Sequence, residues 1–196
     1  MSECRKMMKA LKNKYIYIDI DGTLAEYRFA NHVSAKDGTV NGQTMEEIKN
    51  HIFLYSRPLK SVIKTLKKAK YEGIWICGAI VSPVELQDKI VWLEENCKGI
   101  EFNGKFWFVP EEYWNTFLEY FDHYNSLIYK ATKDDAYIET KYGAIMKGSK
   151  TLIWDWIISH NFIELEKTVF IDDMLPYLKY AEEKGVTAYH ISSFIE

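Results

Sequence analysis

Two hydrophobic periods run through this chain, and the points where one gives way to the other mark out its elements. Residues 15–20 alternate aromatic and β-branched side chains and then stop at Asp21-Gly22, which predicts a buried strand ending in a functional loop. Leu59, Val62, Ile63, Leu66 and Ala69 recur at helical spacing, with Pro58 near the start and Gly73 beyond the end, so a core-facing helix follows. Residues 74–81 form a second apolar strand. Ser82-Pro83-Val84-Glu85 then joins an N-cap, a proline in the first turn and a capping-box Glu, opening a helix with Leu86, Ile90, Leu93 and Cys97 on one face. A third strand spans 102–109. Pro110 begins a strongly aromatic helix carrying Trp114, Phe117, Leu118, Phe121, Tyr124 and Ile128, a stripe that reads first as core. The polar stretch 132–141 separates it from a helix built on Leu152, Ile153, Trp156 and Ile157. Residues 168–171 make a fourth strand running into Asp172-Asp173, and 186–191 a fifth, after a short helix and Gly185.

Alternation of strands with helices implies right-handed crossovers and a parallel sheet covered on both faces, so the predicted fold class is α/β, a three-layer Rossmann-like sheet in one domain. The pattern breaks between residues 25 and 56, around Gly38 and Gly42, and resumes at Thr44-Met45-Glu46-Glu47, a second capping box. That stretch reads as an insertion into a core of 14–24 and 57–196, with a second insertion over 111–146. In open parallel sheets the ligand site lies at the carboxyl ends of the strands. Asp19, Asp21, Gly78, Asp172 and Asp173 all fall at such ends.

Composition narrows the function classes. With 47% hydrophobic and 27% charged residues the chain is of soluble globular type, and no apolar run reaches membrane-spanning length. A formal net charge of −3 gives no reason to expect nucleic acid as a partner, and the basic run 64–70, interrupted by apolar residues, reads as a solvated helix face. Cys4, Cys77 and Cys97 are odd in number and lack metal-ligand spacing, which fits a reducing cytoplasm.

The carboxylates carry the chemistry. Residues two apart on a strand point the same way, so Asp19 and Asp21 are expected to reach one ligand while Ile18 and Ile20 face the core. Carboxylates this close repel unless a cation neutralises them, and magnesium suits a site of carboxylate, water and phosphate oxygens. Asp172 and Asp173 would complete its ligand set. Singly, Asp21-Gly22 could be a plain turn and Asp173 a plain helix cap. A helix-loop-helix calcium site also begins Asp-x-Asp, but Thr23, Leu24 and Ala30 stand at its fifth, sixth and twelfth positions.

Asp19-x-Asp21-Gly22-Thr23-Leu24, completed by Phe170-Ile171-Asp172-Asp173, resembles the signatures of the haloacid dehalogenase (HAD) superfamily of phosphohydrolases. The resemblance implies that Asp19 attacks phosphorus to give an aspartyl-phosphate and that Asp21 protonates the leaving alcohol and then activates water. It places Asp19, Asp21, Asp172 and Asp173 around Mg2+, Gly22 and Thr23 beside the phosphate, and a cap in the 25–56 insertion. It also asks for a lysine ahead of the helix leading to the acidic strand. Lys147 and Lys150 both qualify, and Lys147-Gly148 fits the family pattern better. Where the family has a Ser or Thr ending the second strand this chain has Gly78 and Ala79, whose backbone N–H groups would stand in, with Ser82 a further hydroxyl. Tyr177 occupies a place where the family has an acid or amide. Leu24-Ala25-Glu26-Tyr27 and Asp88-Lys89-Ile90-Val91-Trp92-Leu93 are similar to the 5′-nucleotidase-like branch, pointing to a nucleotide monophosphate among small phosphorylated metabolites. Tyr27, Arg28, Phe29, His32 and Arg57 are the pocket candidates. A rival reading keeps the fold without the turnover: a HAD-like module that binds phosphate ligands, or a protein partner through the aromatic face of 114–129.

Overall fold

The computed structural model describes residues 3–26, 39–40, 43–44, 51, 53–123, 137–159 and 164–194. In chain order these form α1 (Glu3–Leu11), β1 (Tyr15–Ile18), β2 (Thr39–Val40), β3 (Gln43–Thr44), α2 (Lys60–Leu66), β4 (Gly73–Ala79), α3 (Pro83–Asn96), β5 (Gly104–Val109), α4 (Trp114–His123), β6 (Tyr137–Thr140), β7 (Gly143–Lys147), α5 (Thr151–Ser159), β8 (Thr168–Asp172), α6 (Leu175–Glu183) and β9 (Thr187–His190). Seven strands build one sheet in the order β6-β7-β5-β4-β1-β8-β9, parallel throughout except for β6 against β7. The fold is the expected α/β Rossmann-like sandwich, with two strands, β6 and β7, that the sequence pattern did not predict. None of the helices is long and apolar enough to cross a membrane among the described residues.

The pleat divides the core into two layers. Ile16, Ile18 and Ile20 point to the side covered by α1 to α4, where Met7, Leu66, Leu86, Leu93, Phe117 and Phe121 pack. Tyr17, Cys77, Phe108 and Phe170 point to the other side, against Ile153, Trp154 and Ile157 of α5 and Leu178 and Ala181 of α6. The aromatic stripe of α4 is core: Trp114, Phe117 and Phe121 are buried, and Tyr124 and Ile128 lie outside the described residues.

Helix α3 starts where its sequence says. Ser82 Oγ accepts the Glu85 N–H at 3.1 Å, and Glu85 Oε2 accepts the Val81 N–H at 2.8 Å, one residue earlier than a standard capping box. The flanks of the 25–56 stretch are tied together, Glu26 N–H donating to Arg57 O and Leu59 N–H to Leu24 O, each at 2.8 Å. Within it β2 and β3 pair antiparallel. Thr44 belongs to β3, while Met45, Glu46 and Glu47 of the expected helix lie outside the described residues.

Candidate functional site

β1 and β8 are adjacent, parallel and in register, Ile18 opposite Ile171, and the Asp19 N–H extends the ladder by donating to Ile171 O at 3.0 Å. Asp19 and Asp172 therefore leave the sheet side by side. By the pleat both carboxylates fall on the α5–α6 face, with Tyr17 and Phe170. Both are buried. Such a pair is costly unless neutralised, and the start of α5 supplies the cation: Lys150 Nζ donates to Asp19 Oδ1 at 2.5 Å and to Asp172 Oδ2 at 2.9 Å. Asp172 Oδ1 accepts the Met174 N–H at 2.8 Å. Burial alone would lower the pKa of Lys150, but Asp19 and Asp172 outweigh it and hold the ammonium charged.

Asp173 follows Asp172 and turns into the same space. One oxygen from each of Asp19, Asp172 and Asp173 lies within 4.8 Å of the others. Gly22 makes this approach possible: its φ of +72° favours glycine, and a Cβ there would overlap the Asp173 carboxylate. Behind it, His190 Nε2 donates to Asp173 O at 2.9 Å, so Nδ1 is free to accept from Ser192. Burial pushes the Asp19 carboxyl well above its ordinary range; Lys150 draws it back, and Asp172 and Asp21 push it further up. Asp173 is raised as well, by burial and then by Asp172. Asp19 Oδ2 is buried without a hydrogen-bond partner among the described residues. Three carboxylates that bring one oxygen each this close are a donor set suited to a hard divalent cation, so these three residues could hold a metal.

The other predicted residues are placed as follows. Lys147 is not in the cluster. As the last residue of β7 it points opposite to Met146, away from the α5–α6 face, and pairs with exposed Glu111 at 2.5 Å. Lys150, the second candidate, occupies the place expected of Lys147. Asp21 does not join the acidic cluster either, because β1 ends at Ile18 and the chain turns, Ile20 O accepting the N–H groups of Thr23, Leu24 and Ala25. Alternation thus fails beyond Asp19. The Asp21 carboxylate instead meets Lys89 of α3 at 2.6 Å. Thr23 is buried beside this turn, its hydroxyl unpartnered among the described residues.

Gly78 has a packing reason: a Cβ there would press on the Trp107 ring, on the sheet face opposite Asp19. Ala79 contributes its carbonyl to Lys89. Ser82 is spent on the helix cap. The Tyr177 ring lies 5.3 Å from Lys150 Nζ, a cation–π contact where an acid or amide was expected. Arg57 is exposed, and Tyr27, Arg28, Phe29 and His32 lie outside the described residues. Sequence reasoning missed Lys89 as part of the site. Its signal was present: it sits three residues after Leu86 and four before Leu93, a lysine in an apolar stripe.

No protein-family model matches the chain, and no curated protein does. Among solved structures, it is similar to a predicted HAD-like family hydrolase from Porphyromonas gingivalis, at 16% identity over 91% of this chain and 90% of that one, with a TM-score of 0.31. An overlap that low does not bear on the site.

Proposed function

We propose that this protein is a HAD-type phosphohydrolase that cleaves small phosphate monoesters with magnesium. The observation that carries the reading is the Asp19–Lys150–Asp172 constellation, a buried carboxylate with one oxygen fixed by an ammonium and the other without a partner among the described residues, at the carboxyl ends of adjacent central strands. A purely structural ion pair would have no reason to leave a buried carboxylate oxygen such as Asp19 Oδ2 without a partner among the described residues.

Asp19 Oδ2 is the nucleophile, since Oδ1 is occupied by Lys150. Its bond to phosphorus forms as the bond from phosphorus to the leaving oxygen breaks, and the Asp21 carboxyl gives that oxygen its proton, releasing the alcohol. The Asp21 carboxylate then takes a proton from water, which attacks phosphorus and frees Asp19 with inorganic phosphate. Lys150 balances charge on Asp19 throughout. Asp19, Asp172 and Asp173 would hold the magnesium ion, which supplies Lewis-acid stabilisation of the phosphoryl oxygens. The similarity of 88–93 to the 5′-nucleotidase-like branch makes nucleoside monophosphates the first substrates to test. Burial of Trp114, Phe117 and Phe121 counts against the rival protein-docking reading.

The test is release of phosphate from an aryl phosphate and a panel of metabolite monoesters, with and without magnesium, by wild type and Asp19→Asn. Magnesium-dependent turnover abolished in Asp19→Asn is expected; full activity in that variant rules out the covalent route.

A further inference from the structure

Lys89 is a charged residue placed in the apolar stripe of α3, only 1% of its side chain exposed. Its ammonium has three N–H donors and no acceptor, and three acceptors surround it: Asp21 Oδ2 at 2.6 Å, Ala79 O at 2.5 Å and Glu85 Oε1 at 2.9 Å. The Phe53 ring closes one side, 4.8 Å from Nζ, and is itself packed edge-on against Trp92. Glu85 is fixed in turn by the Val81 N–H. The ammonium is thus anchored to the end of β4 and the first turn of α3, and its remaining donor is committed to the Asp21 carboxylate, which leaves the strand early and stands on a turn.

We propose that Lys89 is a positioning residue that fixes the Asp21 side chain in one rotamer, aimed at the leaving oxygen. This rests on the reading of Asp21 as acid and base given above. An ammonium can only donate, so Asp21 Oδ2 accepts from Lys89 and Oδ1 is the oxygen left to face the substrate. Without Lys89, the Asp21 side chain, 28% exposed, is free to rotate about χ1 and χ2 and to present either oxygen to water. The pinned rotamer shortens the search for the geometry in which the leaving oxygen is protonated. All three donors of Lys89 are spent within the protein, so it is not a phosphate ligand, and its loss should change the chemical step while leaving substrate affinity largely in place.

The dependence on leaving group separates this role from a structural one. A nitrophenolate departs without a proton, whereas an alkoxide needs one. kcat/KM, which covers the steps through alcohol release, is measured for a nitrophenyl phosphate and an alkyl phosphate in wild type, Lys89→Met, Asp21→Asn and the double variant, with folding checked by circular dichroism. Lys89→Met is expected to slow the alkyl ester at least about tenfold more than the aryl ester, within the range that acid catalysis supplies, with KM little changed. In the Asp21→Asn background it should cost nothing further on the alkyl ester, because the two act as a unit. Glu85→Gln, at a 23% exposed position, should shift the same ratio more weakly, and carries the comparison if Lys89→Met does not fold. Equal slowing of both esters, or additive losses in the double variant, overturns the positioning role while leaving the reaction intact. A wild type that turns over neither ester, or an Asp19→Asn variant with full activity, overturns the reaction and the proposal together.

Discussion

Lys150 and Lys147 stand three residues apart, and replacing each by methionine should have opposite consequences. Lys150 is 5% exposed and is the described cation in contact with Asp19 and Asp172, which are 1% and 0% exposed. Methionine keeps most of the stem but leaves two buried carboxylates facing Asp173 without compensation. Breaking a buried ion pair from one side costs about 3–5 kcal/mol, a large part of the roughly 5–15 kcal/mol that holds a domain folded. At about 2–4 °C per kcal/mol for a chain of this size, the thermal midpoint should fall by roughly 6–20 °C. Magnesium should then stabilise Lys150→Met by more than it stabilises wild type, since it takes over the missing charge. Lys147 pairs with Glu111, whose side chain is 79% exposed, and solvent screens such a pair. Lys147→Met should leave the midpoint essentially unmoved and turnover intact. The assay is thermal unfolding with and without magnesium, alongside phosphate release. The reasoning is refuted if Lys150→Met melts like wild type, or if Lys147→Met is the variant that loses stability or turnover.

Gly22→Ala forces a left-handed φ on a residue with a Cβ, worth about 1–2 kcal/mol, and drives that Cβ into the Asp173 carboxylate; magnesium affinity measured by calorimetry should fall further than stability does. Gly78→Ser would restore the hydroxyl of the family pattern, yet its Cβ meets Trp107 on the face opposite Asp19, so it should destabilise by about 1–3 kcal/mol and leave phosphate release no faster. In the metal-free protein the raised carboxyls of Asp19 and Asp173 keep protons that the unfolded chain gives up from about pH 4 upward. The folded state then binds more protons than the unfolded one, so this contribution to stability is lost as pH rises through the folded values. Urea unfolding at several pH values should show magnesium stabilising the protein increasingly as pH rises; a magnesium effect independent of pH contradicts it.

The central strands were legible because burial on both faces writes an unbroken apolar signature: 15–20, 74–81 and 168–171 overlie β1, β4 and β8. Helix α3 was legible from its cap. The strands β6 and β7 were not, since β6 is an edge strand with exposed Glu139 and β7 is short and partly covered, and such strands carry little hydrophobic signal. That omission had a cost at the site. Spacing alone allows either lysine to precede α5, and the choice turns on the pleat of β7: Met146 points to the α5–α6 face, so Lys147 cannot, and the chain must travel on to Lys150 before a side chain can reach Asp19. Asp21 was misplaced for the complementary reason. Strand alternation was extended two residues past Ile18, into a turn that Gly22 makes possible.

These two departures lead to one arrangement. In-register pairing of β1 with β8 puts Asp19 and Asp172 at the same height on the same face, which demands a cation from the layer covering that face, and α5 provides Lys150. The early turn carries the Asp21 carboxylate toward the opposite layer, where α3 provides Lys89. Had the strand continued, Asp21 would have entered the same buried cluster and competed for the same lysine. Two residues apart in sequence, Asp19 and Asp21 are met by lysines from opposite layers of the sandwich, because one ends the ladder of β1 and the other stands on the turn that follows it.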